Sequence, residues 1–321
     1  MLIGPRWPDA RVVGEPTVIT GGEWATMYRF AVTGAPEGVP ADLVLRLAPQ
    51  PDMAAKEIAV QQAAATAGVP TPAIRLAGPS GGPLRDAWSV MDFAPGAPLL
   101  ASLDGLAALP RVPGIARRLP RELAVCAAAI HALDPAPIQT AAHFAAPTTA
   151  LTVDELIPHL RAGAEAAGNR DLLVALDRLV ARRPAEVAPV LCHGDLHPLN
   201  LLADGDTVTV LDWTAAVVAP ASYDLAWTWL LLRFPPMIVP AALRSAVDAA
   251  GRFLADRFLR AYRSAAPASR LDDLDWHRGL HSCRVLIDLA LWEAQEDPRA
   301  QTHPSRLMAP GATALLAAAA G

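Results

Sequence analysis

A chain of 321 residues can bury a sizeable core, and two domains are expected at this length rather than one. A formal net charge of −5, with Lys56 the one lysine, excludes the basic footprint that nucleic-acid binding requires. Three scattered cysteines, Cys126, Cys192 and Cys283, exclude a disulfide framework and point to a reducing cytoplasm. The opening residues, MLIGPRWPDARV, lack the apolar run of a signal peptide. The most apolar stretch, 215–232, is interrupted by Pro220 and Asp224 and reads as buried, so no membrane contact is expected.

In chain order, residues 12–19 are rich in Val, Thr and Ile, Gly21-Gly22 makes a turn, and 28–32 and 43–47 alternate as strands. A helix is predicted over 53–67, with Pro51-Asp52 at its start, Gly68 at its end, and Pro70 and Pro72 to stop it. Strands at 74–76 and 88–93 follow, separated by the Gly/Pro/Ser turn of 78–83. The Pro/Gly stretch 94–98 then breaks the pattern. Helices are predicted over 117–133, 153–167, 171–182, 223–233, 241–265 and 274–296. The only strands expected in this half flank 190–213, and the alanine-rich tail 312–320 reads as a short or frayed helix. The chain thus divides into 1–93, an antiparallel sheet with one main helix, and 94–321, mostly helical: an α+β protein.

The stretch 190–213, VLCHGDLHPLNLLADGDTVTVLDW, carries the densest chemistry. An apolar run at Val190 and Leu191 leads into His193, Gly194, Asp195, His197 and Asn200; a β-branched strand, 207–211, then delivers Asp212 at its end. Gly205, between acidic residues, marks the tight turn that folds one strand back on the other. The spacing Asp195-x-x-x-x-Asn200 is that of a kinase catalytic loop, in which the Asp faces the acceptor hydroxyl and the Asn binds magnesium; Asp212 is then the second magnesium ligand.

HGDLHPLN followed by LDW resembles the aminoglycoside phosphotransferase family, small-molecule kinases with a protein-kinase-like fold. The resemblance implies a bilobal kinase-like architecture in which 1–93 is the nucleotide-binding lobe and 94–321 carries the catalytic loop and substrate site. It implies ATP or GTP as co-substrate, Mg²⁺, and transfer of the γ-phosphoryl group to a hydroxyl of an aminoglycoside-like antibiotic or a related metabolite, with antibiotic resistance as one outcome. A cytoplasmic monomer or homodimer is expected. The resemblance assigns Gly21 and Gly22 to the phosphates, Arg46 in LVLRLAP to the phosphate-contacting cation, and Glu57 to its ion-pair partner. It makes WSVMDFAPG, with Met91, Asp92 and Phe93, a hinge whose backbone recognises adenine, and Asp224 in SYDLAW an anchor for the catalytic loop. His131 in AAIHALD is then a bracing residue.

Each of these has an alternative on the residues alone. Gly21-Gly22 is otherwise an ordinary hairpin turn, Arg46 an outward-facing arginine, and 88–96 an edge strand running into a linker. His193 and His197 stand at the i, i+4 spacing of a zinc pair, but Gly194 and Pro198 place them on a loop. Gly78-Pro79-Ser80-Gly81-Gly82 fits a nucleophile elbow in letters, while its prolines and glycines make a turn. A nucleotide-binding pseudokinase and a metal-dependent hydrolase using Asp195, His197 and Asp212 are the rival functions. For the acceptor, Asp272, Asp273, Asp275, Asp288, Glu293, Glu296 and Asp297 offer a carboxylate pocket for a polycation, whereas Trp227, Trp229, Trp276 and Trp292 offer an apolar or cation–π one or simply core packing.

Overall fold

Period-two alternation dominates the first hundred residues, and they form a five-stranded antiparallel sheet. The strands are β1 (Arg11–Ile19), β2 (Thr26–Thr33), β3 (Asp42–Ala48), β4 (Ile74–Gly78) and β5 (Ala87–Asp92), in the order β1-β2-β3-β5-β4. The computed structural model describes residues 3–19, 25–81, 84–100, 112–147, 149–185 and 187–321. By internal contacts the chain divides into two compact units. The first is Met1–Ala101 with Asp134–Thr149 and Leu199–Ala216; the second is Ser102–Leu133 with Ala150–Pro198 and Val217–Gly321.

In the first unit the alternation decides which face each side chain takes. Phe30, Val32, Leu43 and Val90 point to one side and pack with Ile3, Trp7 and Ala10. Val44, Arg46, Ser89 and Met91, one residue out of phase, take the other face. There α1 (Pro51–Thr66) crosses, and its Gln61 amide reaches Met91 Sδ at 3.9 Å. Pro51 stands in its first turn, where a missing N–H costs nothing, and Gly68 follows its end at φ 91°. β5 is an interior strand, paired with β3 on one side and β4 on the other, so the edge-strand alternative for 88–96 does not hold. Of the letters of the nucleophile elbow, Gly78 ends β4 and residues 79–81 follow it into a turn; among the described residues no helix lies between Ser80 and β5. A second sheet completes the unit, β6 (Ala97–Pro98), β8 (Leu201–Asp204) and β9 (Thr207–Val210), ordered β6-β8-β9. Gly96 (φ 108°) is required there, since a Cβ would meet the Ala203 carbonyl oxygen at 2.5 Å.

The second unit is helical. Its elements are α2 (Val112–His131), α4 (Val153–Ala166), α5 (Arg170–Ala181), α6 (Ala221–Arg233), α7 (Arg244–Ala265), α8 (Leu274–Ala294), α9 (Arg299–Thr302) and α10 (Ala309–Ala320). α4 opens on a capping box between Thr152 and Glu155, and α5 on the Asn169 side chain. Leu176, Leu179, Trp276, Leu280, Ile287 and Leu316 build its core; burying each large apolar side chain is worth ~1.5–3 kcal/mol. The apolar stretch 215–232 is indeed buried, with every residue from Ala221 to Thr228 inside α6. No helix among the described residues is long and apolar enough to cross a membrane.

Three expectations need correction. Val190–Cys192 (β7) does not pair with the 207–211 strand; it pairs antiparallel with β10 (Val217–Ala219), while β9 folds back on β8 across Gly205. Strands β6, β8 and β10 add to the two expected in this half, because two- to four-residue strands lack enough alternation to register as a pattern. A helix, α3 (Pro135–Ala145), was unforeseen. Its prolines read as breakers, yet Pro135 sits in the first turn and the Asp134 side chain caps the Ala136 N–H at 3.0 Å. The alanine tail resolves as α10, whose Ala319 lies against Gly279 of α8; a Cβ at Gly279 would come within 2.5 Å of it.

Candidate active site

Two clusters of predicted residues assemble, one in each unit. In the first, the β8–β9 hairpin runs in register Leu201↔Val210, and the Leu211 N–H donates to the Asn200 carbonyl at 2.9 Å. Asn200 and Asp212 are therefore neighbours at the open end of one hairpin. Asp212 has φ 61°, one of two non-glycine residues at positive φ among those described. Aspartate tolerates this left-handed conformation better than most, and such a residue is a marker of function. Both the N–H (3.2 Å) and the hydroxyl of Thr214 donate to Asp212 Oδ1.

Thr214 links this carboxylate to Arg46. The Arg46 Nη2 lies 2.9 Å from Glu57 Oε2 and 3.4 Å from Thr214 Oγ1, and the ion pair is nearly closed to solvent, with side-chain exposures of 12% and 6%. Arg46 is thus inward-facing, as the functional reading of the sequence has it. Its Nε is buried and has no hydrogen-bond partner among the described residues. A buried donor left unpaired costs about 1–3 kcal/mol unless a ligand oxygen takes it. Burial pushes the Glu57 carboxyl up from 4.5 to about 7; Arg46 pulls it down, and Asp212 pushes it up further. A carboxyl raised in this way contributes stability that is complete below pH 4.5 and is lost as pH rises through about 7. Over the same window the Arg46–Glu57 pair becomes fully charged. Glu57→Gln is expected to flatten this falling limb in a series of thermal melts from pH 4 to 9, and an unchanged limb would assign it elsewhere.

At the expected hinge, Met91 is buried against Gln61, Asp92 forms a two-bond ion pair with Arg75 (2.7 Å each), and Phe93 lies 3.9 Å beneath the Arg29 guanidinium. The Asp92 N–H donates to the Ala73 carbonyl and the Phe93 N–H to the Asp42 carbonyl, so both donors are engaged within the fold. Gly21 and Gly22 lie outside the described residues.

The second cluster is built around β7 and the loop after it. Asp224, buried in the first turn of α6, accepts the N–H of His193 (2.7 Å) and of Gly194 (2.6 Å), one on each oxygen. His131 Nε2 approaches the same carboxylate at 3.2 Å, and its Nδ1 meets the Tyr262 hydroxyl at 2.8 Å. Asp224 and His131 are therefore the loop's clamp, the structural role expected of them. Asp224→Ala leaves two buried N–H groups and an imidazole without their acceptor, an expected loss of about 3–5 kcal/mol. Urea unfolding checks it, and a loss under about 1 kcal/mol, the net worth of one ordinary hydrogen bond, would show the clamp to be idle.

The clamped loop presents Asp195 half-exposed. Its Oδ1 accepts the Trp227 indole N–H at 2.7 Å, and its Oδ2 lies 3.4 Å from His197 Nε2. Burial pushes the Asp195 carboxyl up, but the His197 hydrogen bond and charge, the Arg284 charge and the Trp227 N–H together hold it below the usual carboxylate range. The carboxyl is ionised at neutral pH.

The zinc reading of His193 and His197 finds no support. The described His/Cys/Asp/Glu side chains that do converge within ligand reach are His131, Cys192 and Asp224, all buried. Asp224 is committed to the loop, and the Cys192 thiol donates to the Ala219 and Pro220 carbonyls (3.6 Å each) while burial pushes its pKa well up.

Sequence reasoning missed Thr214, two residues past Asp212, and the aiming role of Trp227, which stands three residues after Asp224 on the same helical face. It weighed Trp227 as core or pocket; the residue is buried, and its N–H is what holds Asp195. Trp276 is core, with its N–H on the Leu179 carbonyl.

Among solved structures, the chain resembles a provisionally assigned aminoglycoside phosphotransferase from Ralstonia eutropha JMP134 (TM-score 0.66, 17% identity, 96% of this chain and 92% of that one). It also resembles a thermostable mutant of aminoglycoside phosphotransferase APH(4)-Ia in complex with ADP and hygromycin B (TM-score 0.60, 16% identity, 100% and 98%). A third is a choline/ethanolamine kinase family protein from Mesorhizobium loti (TM-score 0.60, 15% identity, 96% and 88%). At these identities the likeness establishes a kinase-like fold. A comparison with curated proteins gives no match. The model of the phosphotransferase enzyme family, APH, matches residues 17–280, so the chain belongs to that family and is a small-molecule phosphotransferase.

Proposed function

We propose that the protein transfers the γ-phosphoryl group of ATP or GTP to a hydroxyl of a small molecule. The observation that carries this reading is the buried chain Glu57–Arg46–Thr214–Asp212, with an Arg46 Nε–H that has no hydrogen-bond partner among the described residues. A guanidinium fixed by a carboxylate and left with a spare donor is suited to a phosphate oxygen. Asn200 and Asp212 offer the hard oxygen donors that Mg²⁺ prefers and stand together on one hairpin. They would hold Mg²⁺, which when bound neutralises charge on the nucleotide phosphates. Asp195 accepts the proton of the attacking hydroxyl, and Trp227 and His197 keep its carboxylate ionised and aimed.

The nucleotide complex of an APH(4)-Ia mutant and the GDP complex of an aminoglycoside 2′-phosphotransferase-IIIa mutant support a nucleoside triphosphate as co-substrate. Hygromycin B in the former supports a small-molecule acceptor. The test is Mg²⁺-dependent consumption of ATP and GTP against aminoglycosides, macrolides, choline, sugar alcohols and hydroxy acids. Acceptor-stimulated consumption that disappears in Asp195→Asn is expected. Nucleotide binding without turnover on any acceptor would favour the pseudokinase reading, and absence of nucleotide binding would defeat both.

A further inference from the structure

The acidic residues that offered a pocket for a polycation are largely engaged within the second unit. Asp272 pairs with Arg270 (2.8 Å), Asp275 with Arg278 (2.7 Å) and Asp297 with Arg299 (2.6 Å). Asp273 is buried and accepts from the Ser222 hydroxyl and from His277. Glu293 and Glu296 are exposed at the end of α8. Asp288, one turn after Arg284 on α8, is half-buried, and its carboxyl is pushed up by burial, against the pull of Arg284, His303 and Arg299. An aminoglycoside carries several ammonium groups, and each needs an unspent carboxylate to offset its lost hydration.

Beside Asp195 the charge has the opposite sign. The Arg284 guanidinium, on α8, lies 4.2 Å from the Trp227 ring centroid, and the indole N–H of that same ring holds Asp195. Arg284 is half-buried and makes no ion pair with a carboxylate among the described residues. Its charge acts on Asp195 and on the buried Tyr223 hydroxyl. Two other arginines at α8 do have a carboxylate: Arg278 has Asp275 and Arg299 has Asp297. His281, one turn before Arg284, adds no charge, because burial drives its pKa well below the ordinary value. The guanidinium also hydrogen-bonds the Tyr223 hydroxyl and attracts Asp288 one turn further along α8. The N–H groups it has left make no ion pair with a carboxylate among the described residues, and beside the base they suit a carboxylate or phosphate.

We propose, building on the kinase reading above, that the acceptor is a hydroxy compound carrying an oxyanion group, with Arg284 binding that group while Asp195 receives the hydroxyl proton. The choice against polycations and choline-like acceptors follows from charge: a guanidinium with no carboxylate in direct contact among the described residues repels an ammonium placed against it and holds a carboxylate.

The experiment uses the full chain with Mg²⁺ and ATP, and acceptors paired by size. Glycerate is set against 3-amino-1,2-propanediol, 4-hydroxybutyrate against 4-amino-1-butanol, and glycerol 3-phosphate separates phosphate from carboxylate; kanamycin is included. Acceptor-stimulated ADP release is read as kcat/KM. Binding of malonate, sulfate and kanamycin to the nucleotide-saturated protein is read in parallel by tryptophan fluorescence, so the answer does not depend on finding the true substrate. The expected result is a preference of about tenfold or more for the anionic member, collapsing towards unity in Arg284→Gln and partly restored in Arg284→Lys. Preference for the amino member or kanamycin would overturn the proposal. So would a preference unchanged in Arg284→Gln, or binding of none of the probes while nucleotide still raises the melting temperature. If nucleotide itself fails to shift the wild-type melt, it is the kinase reading that has failed, and the acceptor proposal falls with it.

Discussion

Asp195→Asn is expected to lower kcat by about 10²–10⁴-fold, the usual worth of a positioned general base. Nucleotide affinity should stay within about threefold, because the side chain makes no contact assigned to nucleotide binding. The substitution is nearly isosteric, and its amide oxygen can still accept the Trp227 N–H, so the loop held by Asp224 should keep its shape. What it removes is the negative charge and the ability to take a proton. Since Asp195 is held below the usual carboxylate range, it is already ionised across neutral pH, and Glu57, raised to about 7, is expected to give an activity limb there. Activity gained on the alkaline side of that limb, abolished by Glu57→Gln and retained in shape by Asp195→Asn at its lower level, is the expected pattern. Single-turnover measurements across pH 5–9 would show it, and an Asp195→Asn enzyme with more than about a tenth of wild-type kcat would remove Asp195 from the chemistry.

The second large effect is expected at Asp212. Asp212→Ala should reduce kcat/KM for the nucleotide by about 10³-fold, since most of the rate in phosphoryl transfer comes from positioning and charge neutralisation. It also removes the acceptor for two Thr214 donors and sets alanine at φ 61°, which costs about 1–2 kcal/mol in its own right. Asp212→Asn separates these effects: asparagine tolerates the backbone and keeps an oxygen, but loses the charge. If Asp212 acts through Mg²⁺, the Asn variant should fold normally and need more Mg²⁺ for half-maximal ADP release and for the nucleotide-dependent rise in melting temperature. Equal Mg²⁺ dependence in wild type and Asp212→Asn would sink the metal role.

Much of this protein was legible in the sequence, and the reason is local. The β-β-β-α-β-β order followed from alternation and from proline and glycine punctuation, which act over a few residues. Arg46 was identifiable as an interior charge because it interrupts an apolar strand, and Glu57 because it stands within the first two turns of the next helix. Asp195, Asn200 and Asp212 were recognisable by spacing within a single stretch of the chain. The clamp by Asp224 and His131 was expected through family resemblance, and the structure supplies its bonds.

Other features were invisible for an equally physical reason. The partner of β7 is β10 rather than β9, because three-residue strands carry too little pattern to specify a neighbour. α3 was hidden by prolines that are harmless in a first turn. The sequence presented seven carboxylates as equivalent candidates for binding a cation, and only packing decided that Asp272, Asp273, Asp275 and Asp297 are engaged within the fold.

By itself the sequence determined the order of the elements in the first hundred residues, the long helices, the family, and the candidate residues for phosphoryl transfer, because each depends on residue identity at short, fixed spacings. Tertiary structure alone decided which charges remain available. Ion pairs, the Trp227 bond to Asp195 and the stacking of Arg284 on Trp227 join residues from different elements, and such contacts form only where packing brings those elements together.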